Sequence, residues 1–189
     1  MSAQLRGKRV AVMVANEGVE QVELTRPWDA LVEAGAEPVL VAPELGEVQA
    51  FNHLDKADTF DAEVTTAELD ASSISGLLLP GGVANPDHLR RDEAAVRVVQ
   101  QVVEAGIPIA VICHGPWMLV EADVVRGRTL TSWPSVRTDI VNAGGEWVDR
   151  EVVVDDSGPN TIVSSRKPDD LPAFCDAMVD AFAKVPSAA

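Results

Sequence analysis

Ile107-Pro-Ile-Ala-Val-Ile112 is a nearly unbroken apolar run that passes directly into Cys113-His-Gly-Pro116 and then into a helical pattern from Trp117 to Ala122. A short, Ile- and Val-rich run with no alternating polar face predicts a strand buried on both sides. Upstream, Asp92 to Ala105 has apolar residues at helical spacing and ends at Gly106, and Gly76-Leu-Leu-Leu79 reads as a strand stopped by Pro80-Gly-Gly82. Near the start, Arg9-Val-Ala-Val-Met-Val14 and Glu37-Pro-Val-Leu-Val-Ala42 are two more strands. Helical periodicity over Val19–Ala34 lies between them and ends at Gly35; Pro27 within it predicts a kink or a fresh helix start. Downstream, Val152 to Ser165 predicts a short β pair around Gly158-Pro-Asn160, and Asp169 to Ala183 a closing helix capped by Asp169 or Asp170.

Strands that alternate with helices in this rhythm form a parallel sheet with helices on both faces. The expected class is therefore α/β: a flavodoxin-like, doubly wound, mostly parallel sheet sandwiched by helices. With 189 residues and no segment that reads as a linker, residues 1–189 are expected to form a single domain. A chain of this length buries roughly 70% of its unfolded surface, so it needs neither a disulfide nor a metal to hold its core.

Thirty Asp and Glu against fifteen Lys and Arg give a formal charge of −15. Such a surface repels phosphate backbones and anionic lipid, which argues against nucleic-acid and membrane partners. The short polar stretch Met1–Gly7 does not read as a secretory signal, and no apolar run approaches the ~20 residues of a membrane span. Two cysteines, Cys113 and Cys175, make no disulfide framework. A cytoplasmic location is expected.

Ligands in doubly wound sheets bind beyond the carboxyl ends of the strands. Asn16–Glu23, Pro80–Asp87 and Cys113–Trp117 fall there. A cysteine on a tight strand-to-helix turn is held forward, with a helix N-terminus beneath it that can lower its pKa into the ~3.5–7.5 range. Gly115 would leave room there for a substrate or an oxyanion. The alternative is a buried cysteine packing as a small hydrophobe, which is the expectation for Cys175. Glu20 and Glu23, three apart on the expected helix, are either solvated charge or partners of the sulfur. Gly81 and Gly82 let the backbone approach a ligand and donate N–H groups. Cys113 and His114 are adjacent, so their side chains are expected to diverge, leaving the imidazole to be oriented by a third group. His53 reads as a surface-loop residue. His53, His88 and His114 have no metal-ligand spacing, and there is no glycine-rich phosphate cradle, so neither metal nor cofactor is expected.

Ala15-Asn-Glu17 with Val19-Glu-Gln-Val-Glu-Leu24, Leu78-Leu-Pro-Gly-Gly82, Val111-Ile-Cys-His-Gly-Pro116, Arg126-Gly-Arg-Thr-Leu-Thr131 and Ser165-Arg-Lys-Pro-Asp-Asp-Leu-Pro172 together resemble the PfpI branch of the ThiJ/PfpI superfamily. The likeness runs from about Lys8 to Phe182. It implies a sandwich like that of class I glutamine amidotransferases with Cys113 on a strained elbow. Glu23 matches the acid that bonds the sulfur and Glu20 a second acid nearby. His114 matches the dyad histidine, and the N–H groups of Gly82 and His114 match the oxyanion hole. Asp87 stands where a neighbouring subunit's carboxylate orients the histidine, which implies a homodimer or a multiple of dimers. The chain departs from the family by one extra residue in each of the Asn16–Glu20 and Gly82–Asp87 loops. Trp133 stands where distant relatives place a histidine, leaving His114 as the base, and Trp117 stands where many carry glutamine and would narrow the pocket.

The resemblance implies three activities. The leading one is a stress-related cysteine enzyme, glyoxalase- or deglycase-like, in which Cys113 adds to a small aldehyde such as methylglyoxal. The first alternative is a peptidase using Cys113, His114 and a partner's Asp87, with a peptide substrate. The second is a non-enzymatic redox sensor in which Cys113 cycles through sulfenic and sulfinic acid.

Overall fold

The computed structural model describes residues 4–185. Met1–Ala3 of the amino-terminal stretch and residues 186–189 of the expected domain lie outside them. In chain order the elements are β1 (Arg9–Met13), β2 (Glu17–Glu20), α1 (Gln21–Glu33), β3 (Glu37–Ala42), β4 (Gly46–Asn52), β5 (Asp55–Ala62), β6 (Val64–Thr65) and β7 (Gly76–Leu79). They continue with α2 (Ala84–Leu89), α3 (Glu93–Glu104), β8 (Ile109–Ile112), α4 (Trp117–Glu121), β9 (Thr129–Leu130), α5 (Arg137–Asn142), β10 (Glu146–Trp147), β11 (Val152–Asp155), β12 (Ile162–Ser165) and α6 (Leu171–Ala183).

Seven strands form the central sheet in the order β11-β12-β8-β7-β1-β3-β6. All its pairings are parallel except the edge pair of β11 with β12. Neighbouring side chains on a strand point to opposite faces, and the apolar runs divide accordingly. Ala11, Met13, Leu77, Leu79, Ile109 and Val111 join one buried cluster, covered by α3, α4 and α5. Val10, Val12, Leu78, Ala110 and Ile112 join the other, under α1 and α6. This is the expected flavodoxin-like sandwich. No helix among the described residues is long and apolar enough to cross a membrane.

The helix start at Val19, the break at Pro27 and the Asp170 cap are corrected, and one hairpin is new. The pattern beginning at Val19 is not all helix: Glu17–Glu20 is a strand, and α1 starts at Gln21 and runs through Pro27 without interruption. Asp170 occupies the N-cap position of α6, but its carboxylate pairs with Arg166 at 2.8 Å and caps nothing. The stretch between β3 and β7 contains a hairpin, β4–β5, that joins β2 in a separate three-stranded sheet. His53 sits at its turn with φ 57° and is exposed, as expected.

The chain leaves β1 towards β3 and β6 on one side, then returns to β7 and β8 on the other. The strand order thus reverses between β1 and β7, where such sheets open a crevice at their carboxyl end. The segments after β1, β7 and β8 meet there. Phe182 of α6 fastens the layer beneath: its ring lies so close to Gly76 of β7 that a Cβ there would come within 2.8 Å of it. Phe182 is fully buried, so Phe182→Ala is expected to cost about 3–5 kcal/mol in a denaturant titration. An unchanged midpoint would mean that this layer does not hold the sheet.

Candidate active site

Cys113 directly follows β8 and has φ 62°, a conformation that a non-glycine residue adopts only when its surroundings impose it. They do so by hydrogen bonds on both sides. Cys113 N–H donates to Ser165 O at 3.1 Å, extending the β8–β12 ladder by one residue, and Trp133 N–H donates to Cys113 O at 2.9 Å. Gly115 N–H donates back to Ile112 O at 2.9 Å, closing the turn. The strained elbow is therefore present.

The sulfur is nearly enclosed, with 7% of the residue exposed. The backbone N–H groups of Gly82 and His114 are both directed at it. Gly82 reaches its position with φ 87°, and Gly81 must lack a Cβ, which would fall 2.5 Å from Glu23 Oε2 and 2.6 Å from Cys113 Cβ. Buried Asn85 fixes this loop: its side chain donates to Pro80 O and Gly81 O, both at 3.0 Å, and accepts from Ala15 N–H at 2.7 Å. Nothing in the sequence pattern marks Asn85, because its work lies in contacts that only the folded β1 and β7 ends create.

Glu23 is fully buried beside the sulfur. Its Oε2 accepts the Gly81 N–H at 2.8 Å, while Oε1 has no hydrogen-bond partner among the described residues. Burial raises its pKa from the ordinary 4.5 to about 8, against the lowering effects of the Gly81 and Cys113 hydrogen bonds. Burial also pushes the Cys113 thiol up, and an ionised Glu23 would push it further, while the two backbone N–H groups pull it down. The expected helix-lowered thiol is thus not what the fold builds. The helix α4 has only five residues and begins at Trp117, beyond the elbow. Thiol and carboxyl instead form a coupled pair in which ionising both together is strongly opposed.

His114 does not diverge from the cysteine. The left-handed backbone at Cys113 turns the imidazole back, placing Nδ1 3.3 Å from Sγ. The ring lies between two indoles, edge-on to Trp117 with centroids 5.2 Å apart and stacked on Trp133 at 5.9 Å. Burial lowers its pKa and keeps it neutral. Ser135 Oγ lies 3.4 Å from Nε2, a neighbour that nothing in the sequence pattern singled out.

Other expected site residues stand elsewhere. Glu20 does not share a helix face with Glu23, because it belongs to β2; its carboxylate accepts the His53 N–H at 3.0 Å and so holds the hairpin tip. It does line the cleft above the sulfur, a space of about 240 Å³ that Trp133 also lines. Trp117 does not line that cleft: it backs His114, bonds Asp139 at 3.0 Å and faces a neighbouring cavity. Gly115 leaves no room for a substrate, since a Cβ there would meet Leu79 O at 2.6 Å; it lets the elbow pack on the end of β7. Asp87 is exposed on α2 beside the neighbouring cavity and makes no hydrogen bond to the His114 of its own chain. Cys175 is half-buried on α6, its thiol pushed up to about 11 by burial. Among the described residues no group of histidine, cysteine and carboxylate side chains could hold a metal.

The family described as the DJ-1/PfpI family matches residues 8–181. A relative from Escherichia coli named protein/nucleic acid deglycase 2 is 42% identical over 170 residues, covering 88% of this chain and 93% of its own. A Bacillus subtilis relative, named provisionally as cysteine protease YraA, is 38% identical over 167 residues, covering 88% of this chain and 94% of its own. Among solved structures, a two-domain protein of Anabaena variabilis with DJ-1/ThiJ/PfpI-like and ferritin-like domains superposes with a TM-score of 0.84 at 33% identity. That match covers 92% of this chain and 47% of the two-domain protein.

The buried carboxyl has a pH signature. Folded Glu23 keeps its proton to about pH 8, whereas an unfolded chain releases it near 4.5. Its contribution to stability is therefore complete below 4.5 and is lost as the pH rises through 8. Thermal unfolding should show wild type losing stability relative to Glu23→Gln across that window. A difference that does not change with pH would place Glu23 in a solvated setting.

Proposed function

The chain belongs to the DJ-1/PfpI family, and on that footing we propose that it is a cysteine-dependent enzyme acting on small reactive carbonyls and on the glycated adducts they form. The observation that carries this reading is the sulfur of Cys113, set on a strained elbow between two backbone N–H donors, a buried carboxyl and a neutral imidazole. A nucleophile, a proton acceptor in His114, a proton donor in Glu23 and an oxyanion site are within reach of one another.

The thiol passes its proton to the neutral His114 Nδ1, 3.3 Å from the sulfur, while Glu23, kept neutral by burial, retains its own proton beside it. The sulfur then bonds the aldehyde carbon of methylglyoxal, and the carbonyl π pair moves onto oxygen. As the sulfur loses its charge to the new bond, the Gly82 and His114 N–H groups become free to receive the oxyanion. His114 returns the thiol's proton to the oxyanion and, neutral again, carries the proton of the former aldehyde carbon to the adjacent carbonyl carbon, which turns the hemithioacetal into a thioester. Water cleaves the thioester to lactate and restores the thiol. Methylglyoxal and one water thus give lactic acid, with no outside oxidant or reductant. An early glycated side chain is the hemiaminal or hemithioacetal of the same aldehyde: breaking its C–N or C–S bond returns the free amine or thiol and the aldehyde, which then follows the same steps.

A second reading, peptide hydrolysis, is favoured by the 3.3 Å contact between Cys113 and His114. In either reading the exposed Asp87 is free to serve a second copy, making the working form a homodimer with shared sites in the cytoplasm. Mixed refolding of Cys113→Ala with Asp87→Ala should then restore activity that both parents lack. Heterodimers as inactive as their parents would show that the site is not shared.

Purified protein given methylglyoxal without glutathione is expected to release lactate over many turnovers. Cys113→Ala should abolish this, and Glu23→Gln should lower it by about a hundredfold or more, the range of a positioned acid or base. Cleavage of casein with no lactate formed would favour the peptidase. Unchanged kinetics in Glu23→Gln would remove that carboxyl from the reaction.

A further inference from the structure

The cleft over Cys113 has a charge pattern that the reaction itself does not require. Its ionisable lining is Glu20, Glu23, His53, His114 and the cysteine, with no lysine or arginine. His114 is kept neutral by burial. His53, 87% exposed, has its ring 3.8 Å from the Glu20 carboxylate and is the one lining group that could offset it. The rest of the lining includes Leu54, Val83, Trp133 and Pro168, which carry no charge to receive an anion.

Three of the surrounding cations are engaged elsewhere. Arg90 pairs with Glu121 and lies over the Trp117 ring. Arg166 bonds Asp149 and Asp170, and Lys167 pairs with Asp169. Glu20 itself is fixed: its side chain is only 12% exposed and its Oε2 is held by the His53 N–H at 3.0 Å. A fixed carboxylate beside an apolar wall in a cleft of about 240 Å³ repels an entering anion more than the same charge in open water would.

We infer that Glu20 is a specificity-determining residue that makes the cleft a charge filter: it admits carbonyl compounds that are neutral or cationic near the reacting carbon and turns away those bearing a carboxylate or phosphate there. The inference rests on reading this cleft as the carbonyl-binding site. A neutral oxoaldehyde enters, whereas a phosphorylated oxoaldehyde of the same reactivity does not.

Iodoacetamide and iodoacetate test the filter without any turnover, being nearly the same size and differing in one negative charge. The rate of Cys113 alkylation by each is measured at pH 7.5, and the ratio is normalised to that of β-mercaptoethanol. Wild type is expected to favour iodoacetamide about tenfold more than the free thiol does, and 0.5 M salt should shrink that preference. Glu20→Gln, which keeps an oxygen for the His53 N–H, should bring the ratio within about threefold of the free thiol. A wild-type ratio equal to the free thiol's, insensitive to salt, overturns the filter; an unchanged ratio in Glu20→Gln overturns the assignment to Glu20. Should the filter appear while methylglyoxal gives no lactate, the filter stands and the carbonyl chemistry falls. Lactate formation with no filter is the reverse.

Discussion

Glu23 lies wholly inside the protein, and its carboxyl oxygen accepts the Gly81 N–H at 2.8 Å while its body packs against the cysteine elbow. An ionised carboxylate with one oxygen unpartnered would be costly there, so the proton stays. Much of the surrounding structure serves this placement. Gly81 gives up its side chain so that Glu23 and Cys113 can approach from opposite sides, and Asn85 pins the same loop to the end of β1. The first turn of α1 supplies the carboxyl, β7 the loop and β8 the sulfur, so three elements far apart in the chain converge on one proton.

The strain at Cys113 has a similar logic. A left-handed cysteine costs on the order of 1–3 kcal/mol, offset by hydrogen bonds to Ser165 and from Trp133 that fasten both sides of the residue. In return the sulfur faces two N–H groups and a neutral imidazole at once. The thiol is not activated by a helix end or a cation. Glu23 beside it holds its own proton, so a negative charge arises on sulfur only when His114 has taken the thiol's. Enclosure, which opposes free ionisation, also keeps that charge close to its donors.

The central sheet was legible because strands buried on both faces are continuous apolar runs; Glu37–Ala42 and Gly76–Leu79 begin and end where the sequence marks them. The hairpin β4–β5 was not, since Asp55–Ala62 is mostly exposed and polar, without the alternation that betrays a half-buried strand. The same blind spot hid Leu54 and His53 at its tip as walls of the cleft. Helical spacing continues through Glu20 in the sequence, whereas its backbone is extended at φ −67° and ψ 116°. Cys113, His114 and Gly82 could be found from strand ends and motif together. Asn85 and Ser135 could not, since an ordinary polar residue acquires its role only from long-range contacts.

The site depends on where the Glu23 proton resides, and infrared difference spectroscopy of wild type against Glu23→Gln reads that directly through the carbonyl stretch of a protonated carboxyl. A protonated-acid band should be present at pH 6, fade with a midpoint near 8, and shift when Cys113 is alkylated. A carboxylate signal for Glu23 at pH 6 would contradict the buried protonated acid.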